Sequence, residues 1–436
     1  MGSFATPLSG LVAAQGQLQS VSNNLANIDT NGYKDENLTF GDIFSQTGST
    51  NGAGDPLQTG AGVAVSSTVA NFTEGNLNPT NISSNMAISG NGFFVTQSAS
   101  GLPAYTRAGD FTTNKAGQIT TPNGELLLGY PAPNGIVNTS AALQPLQVGS
   151  ATSPAVASTT FGITANLDSD PTAGGTASSS VSVYDSLGSA HILSVAYTMT
   201  APGTWTYNVS IPSADLTPAG VGATTTVGSG TLNFNSSGVL TSTEPTGGAA
   251  TVLPSAGIAL TIPPIPPVTN PVTLPAKFAD GAASMALNWN LVTAGNPTVT
   301  QTATASATSA TTTNGFASGT LSTYSVQPDG TIEGTFSSGN SLALGQVAVA
   351  SFANTQGLSS TGNNNYQPTA ASGAAVVGVA GTGGLGTVIG GSVEQSNVNI
   401  AAEFAKLIVA QQAYSSNAKA ITTFNQVSQA TLAMIQ

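Results

Sequence analysis

The one histidine of the chain, His191, comes after Asp185 at the end of the run Val183-Tyr184-Asp185-Ser186-Leu187-Gly188, and a His–Asp dyad is the arrangement general acid–base chemistry would use. A lone histidine is more often a packed or surface residue. A second candidate is Gly381-Thr382-Gly383-Gly384-Leu385-Gly386, which fits the G-x-G-x-x-G pattern of a phosphate-cradling turn. The next residues, Thr387-Val388-Ile389-Gly390-Gly391, do not open a helix, so nothing there would supply the dipole that such a turn needs. The carboxylates Asp29, Asp35, Glu36 and Asp42 lie close enough in sequence to suggest a cation site, but read more simply as solvated loop charges. There is no cysteine, which removes disulfides, thiolate nucleophiles and zinc–thiolate centres. The reading is therefore of a non-enzymatic chain with no catalytic, cofactor-binding or metal-binding residues and no cofactor.

The elements that would carry any site come from 436 residues, enough for two to four domains with real cores. Only 6 Lys+Arg stand against 18 Asp+Glu, a net charge of -12, so neither nucleic acid nor an anionic membrane is an expected partner. Gly 51 and Pro 24, together with abundant Ser, Thr and Asn, favour many short strands and turns, while a hydrophobic content of 40% argues against disorder. The N-terminus shows neither a basic n-region nor an apolar run suited to a cleaved signal, although the composition looks extracellular. Such a chain is either cytoplasmic or leaves the cell by a route that needs no cleaved signal.

The two ends differ from everything between them. Phe4, Leu11, Leu18 and Leu25 recur every seven residues, with Ala14, Val21 and Ile28 three residues after the last three, which is the seam of a coiled-coil helix. Asn31-Gly32 supplies a left-handed stop. At the other end Ile400, Leu407, Tyr414, Ile421 and Ile435 keep the same step, Phe404, Ala410, Ala418, Phe424 and Leu432 widen the stripe, and Ser428 interrupts it. The plainest reading pairs the two helices within one monomer. Seams of this length predict more, namely helices that find partners on neighbouring copies, so that in dilute monomer both ends are disordered.

From residue 33 to about 395 no helical period is found, and the fold class is mostly β with α-helical termini and nested β domains. The stretch Thr59 to Val69 alternates as a strand, two glycines precede the aromatic strand of Phe93-Phe94-Val95, and Asn123-Gly124 and Asp329-Gly330 are candidate type I′ hairpins. Arg107, the only arginine, is expected to tether its loop to a neighbouring carboxylate, with Asp110 close by. Trp205 and Phe234 are expected core anchors, and the proline-rich run 262–276 reads as edge or linker.

Ser9-Gly10-Leu11, Asn23-Asn24-Leu25-Ala26-Asn27-Ile28 and Thr30-Asn31-Gly32-Tyr33-Lys34 resemble the N-terminal signature of the bacterial flagellar rod and hook axial proteins. Glu394-Gln395-Ser396-Asn397-Val398, with Glu403, Leu407-Ile408, Ala410-Gln411, Tyr414, Asn417 and Ile421, resembles the matching C-terminal end. Asn399 departs from the acidic residue often found there, which places a local hydrogen bond or charge contact in doubt. In the middle, Val183 to Gly188 with His191, and Gly345-Gln346-Val347-Ala348 through Phe352, Asn354 and Gly357-Leu358, are similar to the hook branch of the family.

The resemblance implies a subunit that polymerises helically into a short curved flexible tube, a universal joint that passes torque from rod to filament and encloses the export channel. The implied partners are the chain itself, the rod, the hook cap, the hook–filament junction proteins and the flagellar type III export apparatus. The implied location is extracellular, in the hook of the flagellum, reached without a cleaved signal peptide; absence of cysteine suits threaded export. The implied division is an N-terminal tube helix over 1–28, a connecting segment over 29–75, an inner β domain over 76–148 and 310–385, an inserted outer β domain over 149–309, and a C-terminal linker and helix over 386–436. The subunit interface would use Phe4, Leu11, Leu18, Val21, Leu25, Ile28, Ile400, Phe404, Leu407, Tyr414, Ile421, Phe424, Leu432 and Ile435. A long distal-rod-type protein is the nearest alternative. A secreted β-rich adhesin would explain the composition without requiring heptads at both ends, and a carbohydrate-active enzyme would need a carboxylate pair that no motif marks.

Overall fold

The computed structural model describes residues 4–43, 46–50, 56–149, 151–170, 175–217, 222–246, 251–252, 258–262, 277–293 and 296–434, so most of the proline-rich run 262–276 lies outside the described residues. One helix stands near each end, α1 (Ala5–Ala26) and α2 (Ile400–Ala433), and among the described residues everything between them is strand, turn, irregular chain or short 3-10 turns such as Pro133–Gly135, Ser213–Asp215 and Thr355–Gly357. The chain divides into two units, one formed by Met1–Ala151, Ser322–Thr335 and Ser341–Gln436, the other by Thr152–Leu321 and Phe336–Asn340.

In the first unit α1 stops at Ala26, where the Asn27 N–H bonds the carbonyls of Asn23 and Asn24, so Ile28 lies beyond the helix rather than on its seam. The Asn31-Gly32 signal acts in the loop after the helix: Gly32 has φ +70, and a Cβ there would sit 2.4 Å from the Ala108 backbone nitrogen. Helix α2, about 50 Å long at 1.5 Å per residue, begins at Asn399, whose side chain accepts a 3.1 Å hydrogen bond from the Ala402 N–H. Asparagine caps as well as aspartate, so the hydrogen bond placed in doubt is kept. The helices pack on one another within the chain: the Phe4 and Phe424 rings lie 5.9 Å apart, and a Cβ on Gly10 would come within 2.8 Å of Asn417 Oδ1. A paired ribbon, Glu36–Asp42 with Val63–Ala70, lies against α1, fixed by the Ser20 hydroxyl donating to Glu36 O and Val63 N donating to Ser9 Oγ.

The body of this unit is an antiparallel sheet running Ser341–Ser351, Leu126–Pro131, Phe93–Gln97, Pro103–Thr106, Asn365–Gln367 and Ser359–Gly362. One face buries Phe93, Val95, Tyr105, Leu128, Tyr130 and Tyr366, whose rings meet edge to face with Phe72 and Phe352. The hairpins at Asn123-Gly124 and Asp329-Gly330 are not type I′. Only the glycines are left-handed, at φ +85 and +83, and the pattern is a turn closed by a glycine bulge. Two-residue turns with both centres left-handed occur instead at Asn363-Asn364, at φ 54 and 57, and at Gly383-Gly384, at φ 58 and 85.

The second unit is a sandwich. Thr176–Tyr184, Ala190–Ala201, Thr204–Pro212, Thr224–Phe234, Leu240–Pro245 and Thr251–Val252 form an antiparallel meander. The second sheet centres on Thr160–Asp168, paired in parallel with Met285–Asn290 and Val299–Thr302 and antiparallel with Ala307–Thr313. Strict inward alternation along the meander buries Val181, Val183, Leu193, Val195, Tyr197, Trp205, Tyr207 and Val209 against Phe161, Leu287 and Trp289. Both expected anchors, Trp205 and Phe234, are in this core; Trp289, stacked on Phe161 at 5.8 Å, is its unpredicted centre.

Burial pushes the Tyr197 phenol well above the ordinary tyrosine value and the Tyr207 phenol up to about 12. Their stabilising share is complete below pH ~10, where the unfolded chain would ionise, and is lost as pH climbs toward the folded values, at about 1.4 kcal/mol per pH unit per phenol. A base titration followed by tyrosinate absorbance and far-UV dichroism is expected to show ionisation of these two residues only together with unfolding of the sandwich. Ionisation near pH ~10 with the fold intact would contradict the assignment.

Candidate functional site: the terminal joint and the open helix faces

The end of α1, the segment from Thr30 to Asp35 and the segment from Glu394 to Asn397 meet in a buried polar joint. Glu394 is fully buried; its Oε1 lies 2.6 Å from Lys34 Nζ and accepts the Gly75 N–H at 2.8 Å, and its Oε2 lies 3.4 Å from the Arg107 guanidinium. Lys34 also donates to Thr73 O at 2.6 Å, and Arg107 to the carbonyls of Ile88 and Gly90. Arg107 therefore does tether its loop to a carboxylate, but the carboxylate is Glu394 rather than Asp110. Burial pulls Lys34 and Arg107 below their ordinary values, against the opposing pull of Glu394. Desolvation is the larger influence on both cations, with the Glu394 carboxylate opposing it.

Asn24 closes the same joint from α1. Its Nδ2 donates to Glu36 O at 3.0 Å and to Glu403 Oε2 at 3.3 Å, while its Oδ1 accepts from the Glu36 N–H and the Tyr33 hydroxyl. Asn397 joins from the other side, accepting the Asp35 N–H at 2.8 Å and donating to Asn71 O. Glu403 is held in turn by Lys406 at 2.7 Å. Asn24→Ala would take the acceptor from the Glu36 N–H and from the Tyr33 hydroxyl, which would keep only the Asn23 amide as a donor to it, and is expected to cost about 2–4 kcal/mol in a denaturant melt of the first unit. A loss under about 0.5 kcal/mol would show that water replaces the amide.

Outside the joint, the helices present apolar side chains to solvent. Of the seam residues, Phe4, Ile400, Phe404, Tyr414, Phe424 and Leu432 are exposed, Leu11, Leu18, Leu25, Ile28, Leu407 and Ile421 are half-buried, and Ile435 lies outside the described residues. Val21 is a correction: at 2% exposure it is sealed inside its own chain and offers no surface to a neighbour. The seven-residue reading missed Leu8, Val12, Ile408, Val409, Val427 and Met434, all exposed. They fall beside the seam because an α-helix drifts against an exact seven-residue repeat, which spreads the apolar surface wider than one line. Among the described residues twelve large apolar side chains thus stand open on or beside the two helices, and at roughly 1 kcal/mol for each partial burial they represent on the order of 10 kcal/mol available to association.

The other candidates do not form sites of the kind their patterns suggest. Gly381–Gly386 is a tight turn, with the Gly381 N–H bonding Gly386 O, and it leads into Thr387–Gly390, a strand paired with Met86–Ser89. No helix N-terminus receives a phosphate there. Asp29, Asp35, Glu36 and Asp42 do not converge as ligands among the described residues, and Asp35 is buried rather than solvated, with Asn37 donating to it at 2.8 Å. His191 does meet Asp185, at 3.0 Å, inside the second unit. Among the described residues no helix is long and apolar enough to cross a membrane.

A β body whose two ends come together as an incompletely covered helix pair defines a class, the building block of an axial assembly. Family models for the flagella basal body rod protein (residues 5–34), the flagellar hook protein FlgE/F/G D1 domain (87–164), the flagellar basal body protein FlaE D2 domain (150–316) and the flagellar basal body rod FlgEFG protein C-terminal region (389–434) match along the chain. The flagellar hook protein FlgE of Salmonella typhimurium is 31% identical over 98% of both chains. That of Escherichia coli is 32% identical over 97% of this chain and 98% of its own. The crystal structure of the Helicobacter pylori flagellar hook protein FlgE2 shares the fold with a TM-score of 0.50 at 15% identity, covering 73% of this chain and all of that one. The chain belongs to the flagellar hook protein family.

Proposed function

We propose that this chain is a non-enzymatic structural subunit that polymerises helically, head to tail, into a short curved tube joining flagellar rod to filament, with its terminal helices lining the export channel. The observation that carries this reading is the exposure of Phe404, Val409, Val427 and Leu432 on one helix whose partner within the chain leaves them uncovered. A heterologous contact that does not close produces a filament rather than a ring. In this reading the helices of 1–28 and 386–436 make the tube wall, 29–75 connects, 76–148 with 310–385 forms the inner domain, and 149–309 the outer one. Subunits reach the cell exterior through the flagellar type III apparatus and meet rod, cap and junction proteins at the ends of the tube.

The outer surface supports bending. The chain has only 6 Lys+Arg, so outer contacts rest on Thr, Ser and Asn, and such weak polar contacts exchange with water at little cost, whereas salt-bridge networks would hold one protofilament length. Negative-stain electron microscopy of the concentrated protein tests the proposal. Tubes of uniform diameter are the expected result; monodisperse particles at every concentration would overturn it.

A further inference from the structure

The geometry points to a first-row divalent metal site in the second unit, formed by His191, Asp185 and Asp280, with Asp215 orienting the imidazole. One ligand atom from each of His191, Asp185 and Asp280 lies within 4.8 Å of the others. His191 Nε2 faces Asp185 Oδ2 at 3.0 Å, and its other nitrogen, Nδ1, faces Asp215 Oδ2 at 3.0 Å. The ring is further fixed by stacking on Phe278, with centroids 4.3 Å apart. This is the carboxylate–histidine arrangement that orients a metal-binding imidazole: a carboxylate holds one N–H, which sets the tautomer and turns the other nitrogen toward the ion. Here that other nitrogen lies among two carboxylates.

Those carboxylates are themselves prearranged. Asp185 is fully buried, and its Oδ1 accepts the N–H groups of Leu187 and Ser189, which leaves Oδ2 directed at the imidazole. Asp280 Oδ1 accepts the Ala282 N–H at 3.0 Å. Ser189 also hydrogen-bonds Asp280, and Asp185 is within its hydrogen-bonding reach. Two carboxylates thus face Nε2, and a third lies on the far side of the ring. Among the described residues no lysine or arginine forms an ion pair with any of the three. A divalent cation between Nε2, Asp185 and Asp280 would meet one imidazole nitrogen and two carboxylate oxygens. Imidazole among the donors selects zinc or its first-row neighbours over calcium and magnesium, which prefer all-oxygen shells.

Isothermal titration of the full-length chain at micromolar, unassembled concentration with zinc chloride is the test. One saturable site per chain is expected, with calcium at least tenfold weaker. Asp280→Asn retains the acceptor for Ala282 and is expected to keep the metal-free melting temperature while weakening zinc at least tenfold. Asp215→Asn is expected to weaken zinc through loss of ring orientation. Absence of saturable zinc binding, or zinc binding unchanged in both Asp280→Asn and His191→Asn, would overturn the site and leave a proton-bridged His–Asp clamp. Neither outcome bears on tube formation, which rests on the helices of the other unit.

Discussion

Phe404→Asp is expected to leave the monomer folded and to raise the concentration needed for assembly by at least a hundredfold. Phe404 is 49% exposed on α2, so a carboxylate there is solvated in the single chain and disturbs no buried contact. In a polymer whose neighbours cover that face, the same carboxylate would be stripped of water beside apolar side chains without a cation. The penalty is several kcal/mol, and each 1.4 kcal/mol is about tenfold in an association constant. Light scattering against concentration, with a melting curve of the monomer alongside, checks both halves. Leu432→Asp, near the far end of the same helix, is expected to behave alike. Assembly of either variant at the wild-type concentration would place the contact surface elsewhere.

Glu394→Ala is expected to be the most destabilising single exchange in the first unit, at about 3–5 kcal/mol, since it leaves two buried cations without their counter-charge. Lys34 would retain Thr73 O and Arg107 its two carbonyls, but the Gly75 N–H would lose its acceptor as well. Adding Lys34→Met to the Glu394→Ala chain removes one of the stranded charges and is expected to recover about 1–2 kcal/mol, the sign of non-additivity that a coupled pair must show. Denaturant unfolding of the four chains of this cycle measures it. A double variant less stable than Glu394→Ala would mean that Lys34 contributes through packing rather than charge.

The two helices were legible because Phe4 to Leu25 and Ile400 to Ile421 carry a period that only a helix explains, and the β body was legible because alternation and turn residues recur through it. The joint was not. Lys34 and Glu394 are 360 positions apart, and nothing local to either says which distant charge will neutralise it. Arg107 shows the same limit from the other direction: the nearest carboxylate in sequence was Asp110, but folding brings Glu394 to it. Val21 sits on the seam by spacing yet is buried, because the half of a helix stripe taken by the chain itself depends on where the partner helix and the ribbon Glu36–Asp42 and Val63–Ala70 lie. Turn types failed for a local reason. Asn123 and Asp329 tolerate a left-handed centre but do not require one, and strand register, not the dipeptide, selected the bulged form.

The chain has no cysteine, so one introduced at Val427, which is 57% exposed on α2, reports on that face alone. Its rate of maleimide modification in dilute monomer and in sedimented assemblies compares the two states directly. The account predicts prompt labelling of the monomer and at least tenfold slower labelling in the assembly. Equal rates in both would mean that copies join without covering α2, contradicting the claim that its open apolar face builds the tube.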